Sequence, residues 1–261
     1  MRKERAIRWG IFVVSGFLLA ACASSPKRQA AERERDPQYQ YEKAVVCMQY
    51  GMVDEAFKYL GAALALNPRH ALALNLRGLA FMMKGKADEA IPSFEGAIAV
   101  DPNFSEAHNN NGTALQEKGR LDEAEAAFRK AFALDENYNA SYNLAKIFYG
   151  RQKLDEALTW VQKSIAKYSR SVLAFNLQGL VLEGMDRFDE AVASYQQALR
   201  LVPGELNVQY NLGVAYFKKK DFAQAKEIMT RILDELVKKP QAGNEDLRVR
   251  VLDVLKKIEN R

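Results

Sequence analysis

One spacing governs what this chain can fold into. Small residues recur as Ala44, Gly78, Gly112, Ala145, Gly179 and Gly213, at steps of 34, 34, 33, 34 and 34. A second ladder, Ala56, Ala90, Ala124, Ala157, Ala191 and Ala225, repeats the same steps, including the one-residue deletion. Two ladders in register mark an internal repeat whose units cannot bury their apolar faces alone and so must stack. The unit is clearest from Ala71 to Phe104, which reads as two amphipathic helices around a polar turn at Gly85, closed by Asp101-Pro102. Gly78 in its first helix leaves room for a neighbouring helix to pack closely. Five of the six second helices open with Asp-Glu-Ala, led by Asp54, Asp88, Asp122, Asp155 and Asp189. Acids there can cap free backbone amides and oppose the positive end of the helix dipole. The sixth has Ala223-Gln224-Ala225, with Asp221 just upstream.

This pattern resembles the tetratricopeptide repeat (TPR) from residue 37 to about 239. The large residues fit as well: Phe81, Phe148 and Tyr216 in first helices, Phe94, Phe128 and Tyr195 in second helices. Pro68, Pro102 and Pro203 close units one, two and five. Glu136, Ser169 and Val237 stand in the proline position of the others, and the tryptophan usual near a unit's start is absent. The resemblance implies an all-α, right-handed TPR solenoid of six helix–turn–helix units, at 37–70, 71–104, 105–137, 138–171, 172–205 and 206–239. Residues 244–259 then read as a C-terminal capping helix with an apolar stripe of Leu247, Val251, Leu252 and Leu255.

The first residues are a different text. Arg2, Lys3, Arg5 and Arg8 precede an apolar run of eleven residues from Ile11 to Ala21, short for a membrane span and suited to a secretory signal. The run ends in Leu19-Ala20-Ala21-Cys22, which resembles the lipobox of bacterial lipoproteins. That resemblance implies a signal peptide over 1–21, lipidation of the Cys22 thiol, and a tether over 22–36. Ala23, in place of an aspartate, implies an outer-membrane anchor facing the periplasm. Residues 23–36 would span roughly 20 Å as a flexible chain. Removing the signal takes away four basic residues and one acid, so a formal charge of +5 falls to about +2 and no case for nucleic-acid binding remains. With Cys22 acylated, Cys47 is the one remaining thiol, expected as a buried apolar group.

An enzyme reading finds no support. The two histidines, His70 and His108, have no ligand partners at metal spacing, and no phosphate loop, Gly-x-Ser-x-Gly or Cys-x-x-Cys motif occurs. We expect no catalytic residue, cofactor, metal or small-molecule substrate. The Asp-Glu pairs read as caps on solvated turns. By the TPR resemblance, positions 2, 5, 6, 9, 12 and 13 of each unit face a concave groove that binds protein. Unit two then contributes Leu72, Asn75, Leu76, Leu79, Met82 and Met83. Unit three gives Asn109, Asn110, Thr113 and Gln116; unit four gives Tyr142, Asn143, Lys146 and Tyr149. Units five and six give Leu173, Asn176, Leu177 and Leu180, then Tyr210, Asn211, Val214 and Phe217. The alternative for the leucines is contact between first helices. Asparagine amides in such a wall can read a peptide backbone, and Leu and Met can receive apolar side chains. The lysine–asparagine set that grips acidic chaperone C-termini is missing. The architecture is similar to the pilotin lipoproteins of type IV pilus biogenesis, which promote secretin assembly at the outer membrane. The expected partner is accordingly a protein, such as a secretin subunit; an adaptor for outer-membrane protein assembly or for cell-wall synthesis and hydrolysis is the other reading.

Overall fold

The computed structural model describes residues 31–238 and 244–261. The described chain is helical and divides after Pro102 into two compact units. The first unit holds two hairpins: α1 (Pro37–Gln49) with α2 (Val53–Leu66), and α3 (Ala71–Met83) with α4 (Ala87–Val100). The second holds four more: α5 (Ser105–Glu117) with α6 (Leu121–Asp135), α7 (Tyr138–Gly150) with α8 (Leu154–Lys167), α9 (Val172–Gly184) with α10 (Phe188–Leu201), and α11 (Leu206–Lys218) with α12 (Phe222–Lys238). A last helix, α13 (Glu245–Glu259), packs on both α11 and α12.

Each hairpin turns on one residue in the left-handed region: Gly51, Gly85, Gly119, Gln152, Asp186 and Lys220, with φ between 58° and 73°. Glycine takes that conformation at no steric cost, and three units do without it. The four-residue links between hairpins shorten to Glu136-Asn137 before α7, because α6 runs one residue longer and stops on Glu136 at φ 53°. Here lies the deleted residue of the ladder. The leading helices are capped by side chains in four cases: Asp36 on α1, His70 Nδ1 on α3, Asn137 on α7 and Ser171 on α9. The Asp-Glu pairs do not cap. They occupy the first turn, one residue inside helices whose N-cap residues are Met52, Lys86, Arg120, Lys153 and Arg187, none with a side-chain cap bond. Only the sixth second helix is capped as expected, by Asp221, whose Oδ1 accepts from the Gln224 amide at 3.2 Å.

The acids do something else. Asp54 pairs with Lys84 of the next hairpin, and that ammonium holds the Asp54 carboxyl below its ordinary range. Asp122 pairs with Arg151 at 2.6 Å and Asp189 with Lys219 at 2.5 Å. The first turn of a second helix is thus tied to the last turn of the following leading helix. Arg151 also meets Glu125 at 2.5 Å, a carboxylate only 10% exposed. Glu136–Lys167 at 2.5 Å and Glu183–Lys218 at 2.8 Å add two further cross-hairpin pairs.

Inside every hairpin, the small residue of the leading helix faces the residue sixteen positions on. Gly78, Gly112, Gly179 and Gly213 meet Phe94, Phe128, Tyr195 and Met229, each fully buried. A β-carbon at Gly112 would stand 2.7 Å from the Phe128 ring, and one at Gly213 2.7 Å from the Met229 methyl. At Gly78 and Gly179 the intrusion on Phe94 and Tyr195 would be closer still. Where the small residue is alanine, the residue sixteen on is a branched aliphatic chain and never a ring: Leu60 after Ala44 and Val161 after Ala145, all fully buried. The same offset one position earlier pairs like with like. Arg77 donates to Ser93 Oγ at 3.1 Å and Ser194 donates to Gln178 Oε1 at 3.1 Å. Asn111, buried at 9%, has Ala127 at that offset, and its Oδ1 has no partner.

The terminal helix departs from its expected stripe. Leu247, Val251 and Val254 are buried, whereas Leu252 is 44% exposed. Residues i, i+4 and i+7 share one helical face, and Leu252 lies a full 100° step from Val251. Cys47 is buried and free, as its sequence position implied.

Two predictions follow from the sixteen-residue contacts. Gly78→Ala lowers unfolding free energy by about 1–3 kcal/mol through overpacking. Adding Phe94→Leu, which rebuilds the Ala44–Leu60 combination, recovers part of that loss in thermal melts followed by circular dichroism. Ala127→Ser supplies the donor that Asn111 lacks and raises stability by about 1 kcal/mol; an unchanged melting temperature would count against the pairing.

Candidate functional site

Leading helices touch one another along each unit: α1 with α3 in the first, α5 with α7, α7 with α9 and α9 with α11 in the second. Within each unit, second helices contact the leading helix that follows but, among the described residues, make no comparable contact with each other. The leading helices therefore form an inner wall in each unit, and the residues at positions 5, 6, 9 and 12 sit on or just under it.

In the first unit, Leu72 and Met83 are exposed at 43% and 57%, and Leu76, Leu79 and Met82 are half-buried. Leu76 leans on the core cluster of Ala44, Leu60, Ala63, Ala73 and Ala80, so it serves packing as well as surface. In the second unit, Asn109, Asn110, Thr113, Gln116, Tyr142, Asn143 and Tyr149 are half-buried, and Lys146 is exposed. Asn176, Leu180, Tyr210, Asn211, Val214 and Phe217 are half-buried, with Leu173 exposed at 64%. Two groove assignments need correction. Asn75 and Leu177 are buried, at 7% and 5% exposure, and present almost no surface to a ligand. Positions 5 and 6 lie along the seam between consecutive leading helices, where burial depends on the neighbour's size.

That seam explains the asparagines. Asn143 Nδ2 donates to Asn109 Oδ1 at 3.3 Å, and Asn211 Nδ2 donates to Asn176 Oδ1 at 2.9 Å. A position-6 amide thus joins the position-5 amide of the preceding hairpin, and each rung stitches two hairpins together. Between these rungs, the corresponding positions hold Tyr142 and Leu177. Burial pushes the Tyr142 phenol above its ordinary pKa, so it stays protonated and able to donate. Thr113 Oγ1 turns back to the Asn109 carbonyl at 3.1 Å, which leaves its methyl as the contribution to the wall.

One polar assembly escaped the sequence reading. Tyr195 donates its hydroxyl to Glu183 at 3.2 Å, and Lys218 donates to the other Glu183 oxygen at 2.8 Å. Burial first, then Glu183, hold the Tyr195 phenol far above its ordinary range. The available signal was a tyrosine where the other units carry apolar Leu, Phe, Val or Met, since a buried phenol needs an acceptor.

Cys22 and the lipobox residues Leu19, Ala20 and Ala21 lie outside the described residues. Among the described residues no helix is long and apolar enough to cross a membrane, and no group of three or more His, Cys, Asp or Glu could hold a metal ion.

Tetratricopeptide repeat models match residues 41–108 and 81–136, and the tetratricopeptide repeat protein 21 C-terminal ARM domain matches residues 130–248. No curated protein matches the sequence significantly. The structure of Pseudomonas aeruginosa PilF superposes with a TM-score of 0.74 at 16% identity, covering 87% of this chain and 99% of that one. PilW, a widely conserved type IV pilus biogenesis factor, gives 0.71 at 18% identity, covering 78% of this chain and 95% of that one. A chain of the APC/C hetero-tetramer Cut9–Hcn1 gives 0.70 at 15% identity over 95% of this chain; the present chain spans only 45% of its length. At such identities the likeness is one of fold. The fold is that of tetratricopeptide repeats, an all-helical scaffold type suited to holding protein.

The amide rungs can be tested directly. Asn211→Ala strands Asn176 Oδ1 and costs about 1 kcal/mol, a fall of about 2–4 °C in melting temperature for a unit of this size. Asn176→Ala combined with it costs less than the two single changes added together.

Proposed function

We propose that this chain is a lipid-anchored scaffold of the bacterial envelope that promotes assembly of an outer-membrane secretin in type IV pilus biogenesis. The observation that carries the reading is co-extension: the fold runs along 99% of the PilF chain and 95% of the PilW chain. The inner wall of leading helices supports a scaffold that holds protein segments. The sequence Leu19-Ala20-Ala21-Cys22 supports attachment by acyl chains on Cys22. Several chains at about 0.8 kcal/mol per buried methylene make such an anchor stable. Residues 31–33 are helical and Glu34 bonds Gln40 and Lys43 of α1, so the expected tether shortens to residues 23–30. Fully stretched, these would hold the first hairpins within about 30 Å of the membrane surface. No catalytic step enters this mechanism. The scaffold acts by raising the local concentration of subunits beside the bilayer and by holding one segment of them in a fixed orientation.

Deleting the gene is expected to abolish heat-resistant secretin multimers in the envelope, as read on immunoblots. The wild-type chain restores them. Cys22→Ser is expected to fold, to leave the membrane fraction and to restore few multimers. Multimers that persist after deletion would overturn the secretin reading in favour of an adaptor for another envelope machine. A Cys22→Ser protein that stays in the salt-washed membrane pellet would overturn the lipid anchor.

A further inference from the structure

Within the leading helices of hairpins three to six, the central positions of the inner wall carry one charged residue; at its far end Arg250 of α13, paired with Asp246, lies over the Tyr210 ring, 4.7 Å from its centroid. Over positions 5, 6 and 9 of these four leading helices the residues are amides, tyrosines, a threonine and aliphatic chains, apart from Lys146. Lys146 is exposed and makes no ion pair among the described residues; its ammonium stands 5.8 Å from the centroid of the Tyr142 ring. Its own hairpin is the most basic of the array, with six cations against two carboxylates over residues 138–171. Two of those cations, Arg151 and Lys167, are spent on carboxylates of hairpin three. Lys146 is not, although it sits where the equivalent residues are Thr113, Leu180 and Val214.

The surroundings favour a carboxylate there. A charge-assisted hydrogen bond is roughly twice as strong as a neutral one, and more so beside half-buried apolar walls. Tyr142, kept protonated by burial, offers a second donor within one helical turn. The amide rungs on either side, Asn109–Asn143 and Asn176–Asn211, each use one N–H and one oxygen on themselves. A primary amide pair has two N–H groups and an oxygen on each member, so capacity remains for the backbone of an extended segment. Leu180 supplies an apolar seat in the next hairpin.

We infer that hairpins three to six hold an extended peptide segment that presents an aspartate or glutamate to Lys146, with an apolar side chain beside it against Tyr142 and Leu180. This inference rests on the inner wall being a protein-binding surface, and it adds the chemistry that the partner must carry.

The test selects phage-displayed random twelve-residue peptides on the full mature chain in detergent micelles, in parallel with its Lys146→Glu variant. Peptides from the wild-type selection are expected to carry an acidic residue next to an apolar one. Those from Lys146→Glu should carry a basic residue at that place. Anisotropy with the best fluorescein-labelled acidic peptide should show a loss of about tenfold for Lys146→Gln, one charge-assisted contact, and this difference should shrink at high salt. Circular dichroism of each variant checks the fold, and Lys146→Met serves for the affinity comparison if Lys146→Glu melts early. Peptides that lose affinity on Leu180→Glu but ignore every change at Lys146 overturn the inference and leave the groove reading standing. Peptides indifferent to Leu180→Glu as well, or no enrichment at all, overturn both.

Discussion

The contact between a small residue and the large residue sixteen positions later is the constraint on which the rest of the structure depends. It fixes how closely the two helices of a hairpin approach, because at each glycine a β-carbon would intrude on the large side chain opposite. Where the small side is glycine, the large side is an aromatic ring in three cases, Phe94, Phe128 and Tyr195, and Met229 in the fourth; where it is alanine, the large side is aliphatic, Leu60 or Val161. Protein interiors are packed as densely as organic crystals, so a single methyl group must be compensated on the other side. Close packing of this kind recurs from hairpin to hairpin, and within each compact unit the leading helices meet their neighbours.

Electrostatics then favours which hairpin lies beside which. Hairpins three and five each carry an excess of three acids, while four and six carry excesses of four and three bases. Cross-hairpin ion pairs run from three to four and from five to six. Most of these groups are exposed, and exposed pairs contribute at most about 1 kcal/mol each. Glu125 differs: buried, and held by Arg151 and Arg129, it would be costly to leave alone. The pairs add little cohesion and much selectivity, because a hairpin placed out of order would bring like charges together. Between hairpins four and five no such ion pair forms among the described residues, since Met185 stands where Lys84, Arg151 and Lys219 stand elsewhere, and Asp155 acts on Arg187 only at longer range. There α8 packs on α9, with the Leu154 side chain against Gly184.

The fold was legible in the sequence because its causes are periodic. Gly78, its equivalents and the alanine ladder mark helix contacts that any reader of spacings can find. Features that depend on partners in other units were not legible. The Asp-Glu pairs looked like caps, since acids before an apolar run usually are; their partners thirty residues away could not be read from one unit. The asparagines looked like free surface amides, yet Asn109, Asn143, Asn176 and Asn211 bind one another across the seam. Asn75 and Leu177 were assigned to the groove by position number alone, and position does not say how large the neighbouring side chain is. The same blindness hid Glu183, which takes its place from Tyr195 and Lys218. Val254 escaped because the terminal helix was read by its leucines and not by its angular period.

The division of labour among positions follows from these contacts. The small residue of a leading helix and the alanine of a second helix are held by close packing, so any change there is felt by the whole hairpin. Positions 5, 6 and 9 are held by the neighbouring leading helix, and different chemistries satisfy it: an amide pair, a tyrosine beside a leucine, a lysine stem over a ring. A wall built this way is rigid in its backbone and free in its chemistry. Ligand preference can therefore change by substitution at the seam while the scaffold is untouched, provided each substitution still meets its neighbour. Lys146 is such a case: its ammonium stands 5.8 Å from the Tyr142 ring centroid, and no carboxylate among the described residues pairs with it. A group that the fold does not need, placed where a segment would lie, is the kind of residue through which one repeat array is distinguished from another.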